Sequence, residues 1–216
     1  MAKKILLHTL EIYLLADKAV FIPKYEMLVI SDWHLGKLGH FRKEGLFVPP
    51  MQLDQEFARL ALLINETKCK RLVFLGDLFH SEYNYEWDIL VTFLRSYPTL
   101  SFELTTGNHD ILSEIHIAHS PIKQRKMIVL DEGVVLSHEP IRFLENHIYN
   151  IVGHIHPGCE IKTLGRQRFK MPCFVLEGRT LILPAFGQWT GLYLIPKTDT
   201  NRLFALLNND VVEVIK

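Results

Sequence analysis

Short apolar runs that break off at polar, often glycine-marked clusters give this chain its rhythm. Met27-Leu28-Val29-Ile30 runs into Ser31-Asp32, Arg71 to Leu75 runs into Gly76-Asp77, and Leu100 to Leu104 leads to Gly107-Asn108. Apolar-rich runs of this length bounded by turn residues predict buried strands. Between them the period changes. Leu53, Phe57, Leu60, Ala61 and Ile64 recur at helical spacing, and Asn84 to Tyr97 places Trp87, Leu90, Val91 and Leu94 on one side before Pro98 ends the run. This βαβαβ beginning predicts a sheet with helices packed on it. Beyond residue 125 the texture is β-rich. Met127 to Leu130 and Val134 to Leu136 flank Asp131-Glu132-Gly133 as a hairpin, and short segments follow at Cys173–Leu176, Thr180–Leu183, Gly191–Ile195, Leu203–Leu207 and Val211–Ile215. A second sheet is expected.

Composition narrows the class. With 216 residues, 48% hydrophobic and 22% charged, the chain is long enough to bury a sizeable core as one domain over residues 1–216. No Pro/Gly/Ser-rich linker, charge block or repeat interrupts it. The apolar runs fall far short of a membrane span, and Met1 to Leu7 is followed by His8 and Glu11 rather than a signal-peptide core, so a cytoplasmic protein is expected. Cys69, Cys159 and Cys173 lack CxxC spacing and read as reduced thiols in or near the core. Twenty-four Lys plus Arg balance twenty-four Asp plus Glu, which excludes a broad basic footprint for nucleic acid. Any such affinity must come from a local patch.

The polar clusters carry the chemistry. In order they are Asp32-Trp33-His34, Gly76-Asp77-Leu78-Phe79-His80, Gly107-Asn108-His109-Asp110, His138, and Gly153-His154-Ile155-His156. Asp32, His34, Asp77, Asn108, His138, His154 and His156 are hard or borderline oxygen and nitrogen donors, a set suited to two divalent ions such as Mn, Fe or Zn. The carboxylate of Asp77 has two oxygens and can bridge such a pair. Ions roughly 3.5–4 Å apart share a water, lower its pKa and clamp an in-line displacement, so the nucleophile is hydroxide rather than a side chain. Taken singly, each cluster has a bland reading: Asp77 as a turn cap, Gly107-Asn108 as a left-handed turn pair, His154 and His156 as two residues on one face of a strand. Their shared position at the ends of apolar segments, where functional loops of α/β proteins lie, favours a site.

The order DxH, GDxx(D/H), GNH(D/E), H, GHxH resembles the calcineurin-like metallophosphoesterase superfamily, over residues 32–156 with no ligand position missing. The resemblance implies a four-layer α/β/β/α sandwich of two mixed sheets with metals at one edge. It implies one ion held by Asp32, His34, Asp77 and His156, another by Asp77, Asn108, His138 and His154, and His109 as proton donor to the leaving oxygen. His80 stands where protein phosphatases carry aspartate and resembles the GDxFH form of nuclease-like members, as a residue orienting His109 or touching phosphate, or as a structural hydrogen-bond partner. Lys37, His40, Arg42 and Lys43, with Phe41 interleaved, form a basic loop suited to a phosphodiester backbone, or simply a solvated one; Arg166, Arg168 and Lys170 form a second basic run. The segment from His34 to Pro49 together with Leu183-Pro184-Ala185-Phe186-Gly187 is similar to bacterial ligase-associated metallophosphoesterases. That likeness implies a Mn-dependent phosphodiesterase with DNA endonuclease activity, with a DNA ligase, a helicase and an exonuclease as repair partners. Trp33 and Trp189 depart from the pattern and bear on substrate fit. Two other functions share these residues: hydrolysis of a small nucleotide or lipid-linked phosphoester, and a non-catalytic interaction scaffold, against which the intact ligand set counts.

Overall fold

The computed structural model describes residues 2–37, 45, 52–79, 83–110, 112–131, 133–162 and 167–215. It opens with strands β1 (Lys3–Leu7), β2 (Leu10–Leu15) and β3 (Ala19–Ile22), an antiparallel meander ahead of the run at Met27 where the sequence pattern placed the first strand. The alternation of Leu10, Ile12 and Leu14 with Glu11 and Tyr13 accounts for it: the first set is buried and the second half-buried, as a period of two requires. A 3-10 turn at Pro23–Tyr25 then feeds β4 (Met27–Ile30).

From β4 the pairing turns parallel, through β5 (Arg71–Phe74), β6 (Ser101–Thr105) and β7 (Ile122–Arg125), completing a seven-stranded sheet in chain order. The crossovers carry α1 (Gln52–Thr67), α2 (Tyr85–Arg95) and the short α3 (Glu114–Ala118). Helix α2 starts where expected because the Asn84 side chain accepts from the Glu86 N–H at 2.8 Å, one of the donors a helix leaves orphaned.

The second sheet runs β14 (Tyr193–Leu194), β11 (Pro157–Lys162), β12 (Arg168–Glu177), β13 (Thr180–Ile182), β10 (Tyr149–Val152), β9 (Val134–Ser137), β8 (Ile128–Leu130), with β15 (Asn201–Leu207) and β16 (Asp210–Glu213) joined through β12. Strands β8 and β9 form the expected hairpin, whereas β9–β10 and β10–β13 are parallel. The two mixed sheets face each other. Met27, Val29, Val73 and Leu75 point from the first into Leu136, Ile151, Phe174, Leu181 and Phe204 of the second, all fully or nearly fully buried. On the other face of the first sheet Leu28, Ile30, Leu72, Phe74 and Leu104 pack against Leu60, Leu63, Trp87, Leu90 and Leu94 of the helices. Burying a side chain of this size contributes about 1.5–3 kcal/mol, so these two layers hold the strand ends rigidly. On the outer face of the second sheet, Cys173, Val175 and Leu203 pack with the partly buried Ile155, Ile161, Met171, Ile195 and Val214.

Candidate metal centre

Each ligand-bearing cluster begins within a few residues of a strand's C-terminal end: Asp32 after β4, Asp77 after β5, Asn108 after β6, His138 after β9 and His154 after β10. These strands are parallel within their sheets, so their ends share one edge of the sandwich, where ligands of open α/β sheets bind. The backbone then leaves strand geometry abruptly. Asp32, His34, Asp77, His154 and His156 have φ of 52°, 53°, 46°, 67° and 52°, a left-handed conformation that costs roughly 1 kcal/mol or more apiece for residues with a Cβ. Concentration of that strain on five candidate ligands is the mark of a built site. It also corrects the strand-face reading of His154 and His156. Strand β10 has ended at Val152, and the left-handed turns send the two rings to different groups.

Donor atoms of Asp32, His34 and His156 lie within 4.8 Å of one another, and so do those of Asp77, His138 and His154. His34 Nε2 is 3.2 Å from His156 Nε2, which is 3.3 Å from Asp32 Oδ1. In the other group His138 Nε2 is 3.1 Å from both His154 Nδ1 and Asn108 Oδ1. Asp77 joins them: its Oδ2 is 3.8 Å from His34 Nε2 and its Oδ1 3.5 Å from His138 Nε2. The rings of His34 and His109 meet edge to face at 5.6 Å, which sets His109 beside the first group. Asp32, His34, Asp77 and His138 are buried, His156 is partly open and His154 exposed, so access is from the histidine side.

Convergence of two carboxylates, an amide oxygen and four imidazoles on two adjacent points is the arrangement that divalent ions satisfy. Supporting hydrogen bonds agree. His138 Nδ1 is 2.8 Å from the Leu75 carbonyl, so Nδ1–H donates and Nε2 presents its lone pair to the site. Burial works against ionisation of Asp32, yet His156, through its hydrogen bond and charge, and the Ser31 hydroxyl hold its carboxyl below the usual range. The His154 N–H also donates to Asp32, at 2.9 Å, and the His109 N–H donates to Asp77 Oδ1 at 2.8 Å.

Glycine spacing follows from crowding. A Cβ on Gly76, itself at φ 71°, would sit 2.3 Å from the His138 ring, and one on Gly153 would sit 1.6 Å from Ser31 Oγ. The loops after β4 and β5 zip together beyond their strands, His34 N–H donating to Asp77 O at 2.9 Å and Leu35 N–H to Leu78 O at 2.9 Å.

Two anchoring carboxylates were not singled out from the sequence. Asp110 accepts four backbone N–H groups, Asp77 and Gly107 at one oxygen (2.9 and 2.8 Å) and Leu78 and Phe79 at the other (2.9 and 3.2 Å), tying two ligand loops together. Burial pushes its carboxyl up against the pull of the Gly107 and Phe79 donors. Its signal was its place in Gly107-Asn108-His109-Asp110. Glu56, on α1, accepts from the Trp33 indole N–H at 2.8 Å and the Gln188 N–H at 2.7 Å, and burial raises its pKa. Nothing local in the sequence marks it. Phe186 N–H donates to Ser31 O at 2.7 Å and Gly187 N–H to Asp32 O at 3.2 Å, which gives the Pro184-Ala185-Phe186-Gly187 segment its role of clamping the first ligand loop. Lys37 lines a cleft with His34. His40, Phe41, Arg42, Lys43, His80 and Arg166 lie outside the described residues.

Two face-to-face mixed sheets carrying an Asp/Asn/His double group at one edge define a metal-dependent phosphoester hydrolase. The calcineurin-like phosphoesterase family model matches residues 26–183, and the chain belongs to that family. Among solved structures, a nuclease MPE from Pseudomonas putida is 25% identical, covers 99% of this chain and 100% of its own, and superimposes with a TM-score of 0.78. YfcE, a phosphoesterase from E. coli, is 16% identical over 87% of this chain and 97% of its own, with a TM-score of 0.44, an overlap too loose to argue from. A comparison with curated proteins finds no match.

Proposed function

We propose that this protein is a two-metal phosphodiesterase that cuts internal linkages of DNA in the course of repair. The carrying observation is the Asp77 carboxylate, which offers one oxygen to each of two ligand groups. Asp32, His34, Asp77 and His156 would hold one ion, and Asp77, Asn108, His138 and His154 the other. A mixed carboxylate, amide and imidazole set without thiolates suits Mn, with Fe or Zn as rivals. When bound, such ions lower the pKa of a shared water and neutralise charge on the phosphoryl oxygens.

The chain's own residues do the rest. His109, its backbone fixed to Asp77 and its ring beside His34, holds the proton for the leaving oxygen. Lys37 lines one cleft with His34, and in this reading it would contact a phosphate oxygen. On the opposite side an open cavity of about 390 Å³, bordered by Asn108, Lys126, Ser137 and His138, leaves room for a polymer to continue past the scissile bond. That openness, with the nuclease named for the structural neighbour, favours an internal cut over hydrolysis of a small nucleotide or lipid-linked ester. A DNA ligase, a helicase and an exonuclease are the partners this reading expects. Circular single-stranded DNA with Mn tests it: linearisation is expected, and hydrolysis of small diesters with the circle intact would move the substrate to nucleotides.

A further inference from the structure

The first sheet ends in an open strand. Strand β7 pairs with β6 on one side, and among the described residues no strand pairs with its other side. Its sequence Ile122-Lys123-Gln124-Arg125 runs on into Lys126, and all of these but Ile122 are exposed. Because β7 is parallel to β6, the run leads to the edge where the ligand groups lie. Thr106 N–H, two residues before Asn108, donates to Arg125 O at 3.2 Å, and Lys126 then lines the open cavity of about 390 Å³ with Asn108 and His138.

The cations of this run are not equivalent. Lys123 and Arg125 lie on one face of the strand, and Glu103 of β6 stands across the ladder from Lys123. Glu103 is buried and both its oxygens are engaged, Oε1 by Arg71 at 2.7 Å and Oε2 by Arg125 at 3.4 Å. Lys123 is left without a carboxylate, and Lys126 makes no ion pair or side-chain hydrogen bond among the described residues. Lysines on a sheet edge commonly guard it against pairing with another chain. Lys126 lies beyond the strand, so guarding does not account for it. Beside it in the cavity are the exposed Thr106 and Met127, the latter 42% exposed. A cation and a hydroxyl suit phosphate oxygens, and a thioether suits a sugar or base. Glu139 also lines the cavity and offsets Lys126 there, so net attraction for an anion continues outward to Lys123, roughly 10 Å back along the strand.

Resting on the phosphodiesterase reading above, we infer that the substrate strand leaves the metal centre along the β7 edge, the phosphate next to the scissile one meeting Lys126 and a further one meeting Lys123. Contacts of this kind fix the path of a strand and not its sequence. They also answer a charge problem. A chain with zero formal net charge has no broad attraction for a polyanion, and two unpaired lysines in line with the centre supply a local one.

The test gives the Mn-loaded enzyme two thymidylate chains of equal length, one of ordinary phosphodiesters and one whose single phosphodiester is flanked by uncharged methylphosphonates. Wild type should show a KM about tenfold lower for the fully charged chain. K123Q and K126Q should each narrow that gap by about threefold, and K123R and K126R should keep it. A second readout is independent of turnover: the anisotropy of a dye-labelled oligothymidylate on rapid mixing with the holoenzyme. Each glutamine variant should take about 0.7 off the log–log salt slope of binding. Equal KM values for the two chains in wild type, or a gap and a slope unchanged in both glutamine variants, would overturn the track while leaving nuclease activity standing, with the lysines as guards of an open edge. Wild type that hydrolyses bis-p-nitrophenyl phosphate yet neither binds nor cuts the oligothymidylate would overturn the nucleic-acid reading and the track with it.

Discussion

At the scale of single residues, His109 differs from His34, His138, His154 and His156 in belonging to neither ligand group, although it lies against His34. His109→Ala should therefore keep its metals and lose about 10²–10⁴ in kcat on a diester with an alkoxide leaving group, with a much smaller loss on p-nitrophenyl esters. Equal losses on both would remove the acid role. Lys18 makes a different prediction. Burial, then the nearby Arg59 charge, lowers its pKa to about 8. Between about pH 8 and 10.5 the unfolded chain binds a proton that the folded chain has released, so stability from this group rises with pH across that window and is flat below it. The full penalty at neutral pH is at most about 3 kcal/mol. Lys18→Met should raise Tm at pH 7, by a margin that shrinks as pH passes 8; a pH-independent margin would place the effect elsewhere. The residues legible in the sequence were those whose type is dictated by chemistry at a fixed offset from a strand end: Asp32, His34, Asp77, Asn108, His109, His138, His154 and His156. Glu56 was not, because its role depends on a helix facing Trp33 and Gln188 from distant parts of the chain.

At the scale of elements, the site is a set of strand ends held by loops that cannot be loosened independently. Glu56→Gln leaves one oxygen for two donors and takes away the negative charge beside Lys18 and Arg59. It should lower stability by about 1–3 kcal/mol and Mn affinity about 10–100-fold, read by thermal unfolding and titration calorimetry. Unchanged Mn affinity would show that the clamp does not reach Asp32 and His34. Gly153→Ala must displace Ser31 from Asp32, so it should lose metal more than it loses fold. Helix α1 was readable from its period, and α2 because period and breakers agree: Asn84 caps its start and Pro98 follows its end. The N-terminal meander carried a period-two signal of equal quality in Leu10 to Leu15. A short alternating stretch lying ahead of the motifs is nonetheless a less distinctive strand signal than the apolar run at Met27.

At the scale of the molecule, the sequence announced a change of texture after residue 125 but not the order of the second sheet. Strand β12 pairs with β11 through Arg168–Pro172 and with β13 and β15 through its later half, an arrangement set by contacts far apart in sequence. Charge balance is a property of this scale too. With no net positive field, binding of single-stranded DNA should depend weakly on salt, with a log–log slope of about −1 to −2, equivalent to roughly two or three phosphate contacts. A much steeper slope would reveal a basic surface beyond Lys37 and Lys126. At the centre of the whole molecule's chemistry is one carboxylate, Asp77, reaching both ligand groups. The most direct measurement is therefore metal stoichiometry by elemental analysis, with bis-p-nitrophenyl phosphate hydrolysis followed in the same samples, for wild type and Asp77→Ala. Two ions in wild type, with loss of metal and of hydrolysis together in the variant, is the expected result. A wild type active with a single ion, or an Asp77→Ala protein that still binds two ions and hydrolyses the diester, would contradict it.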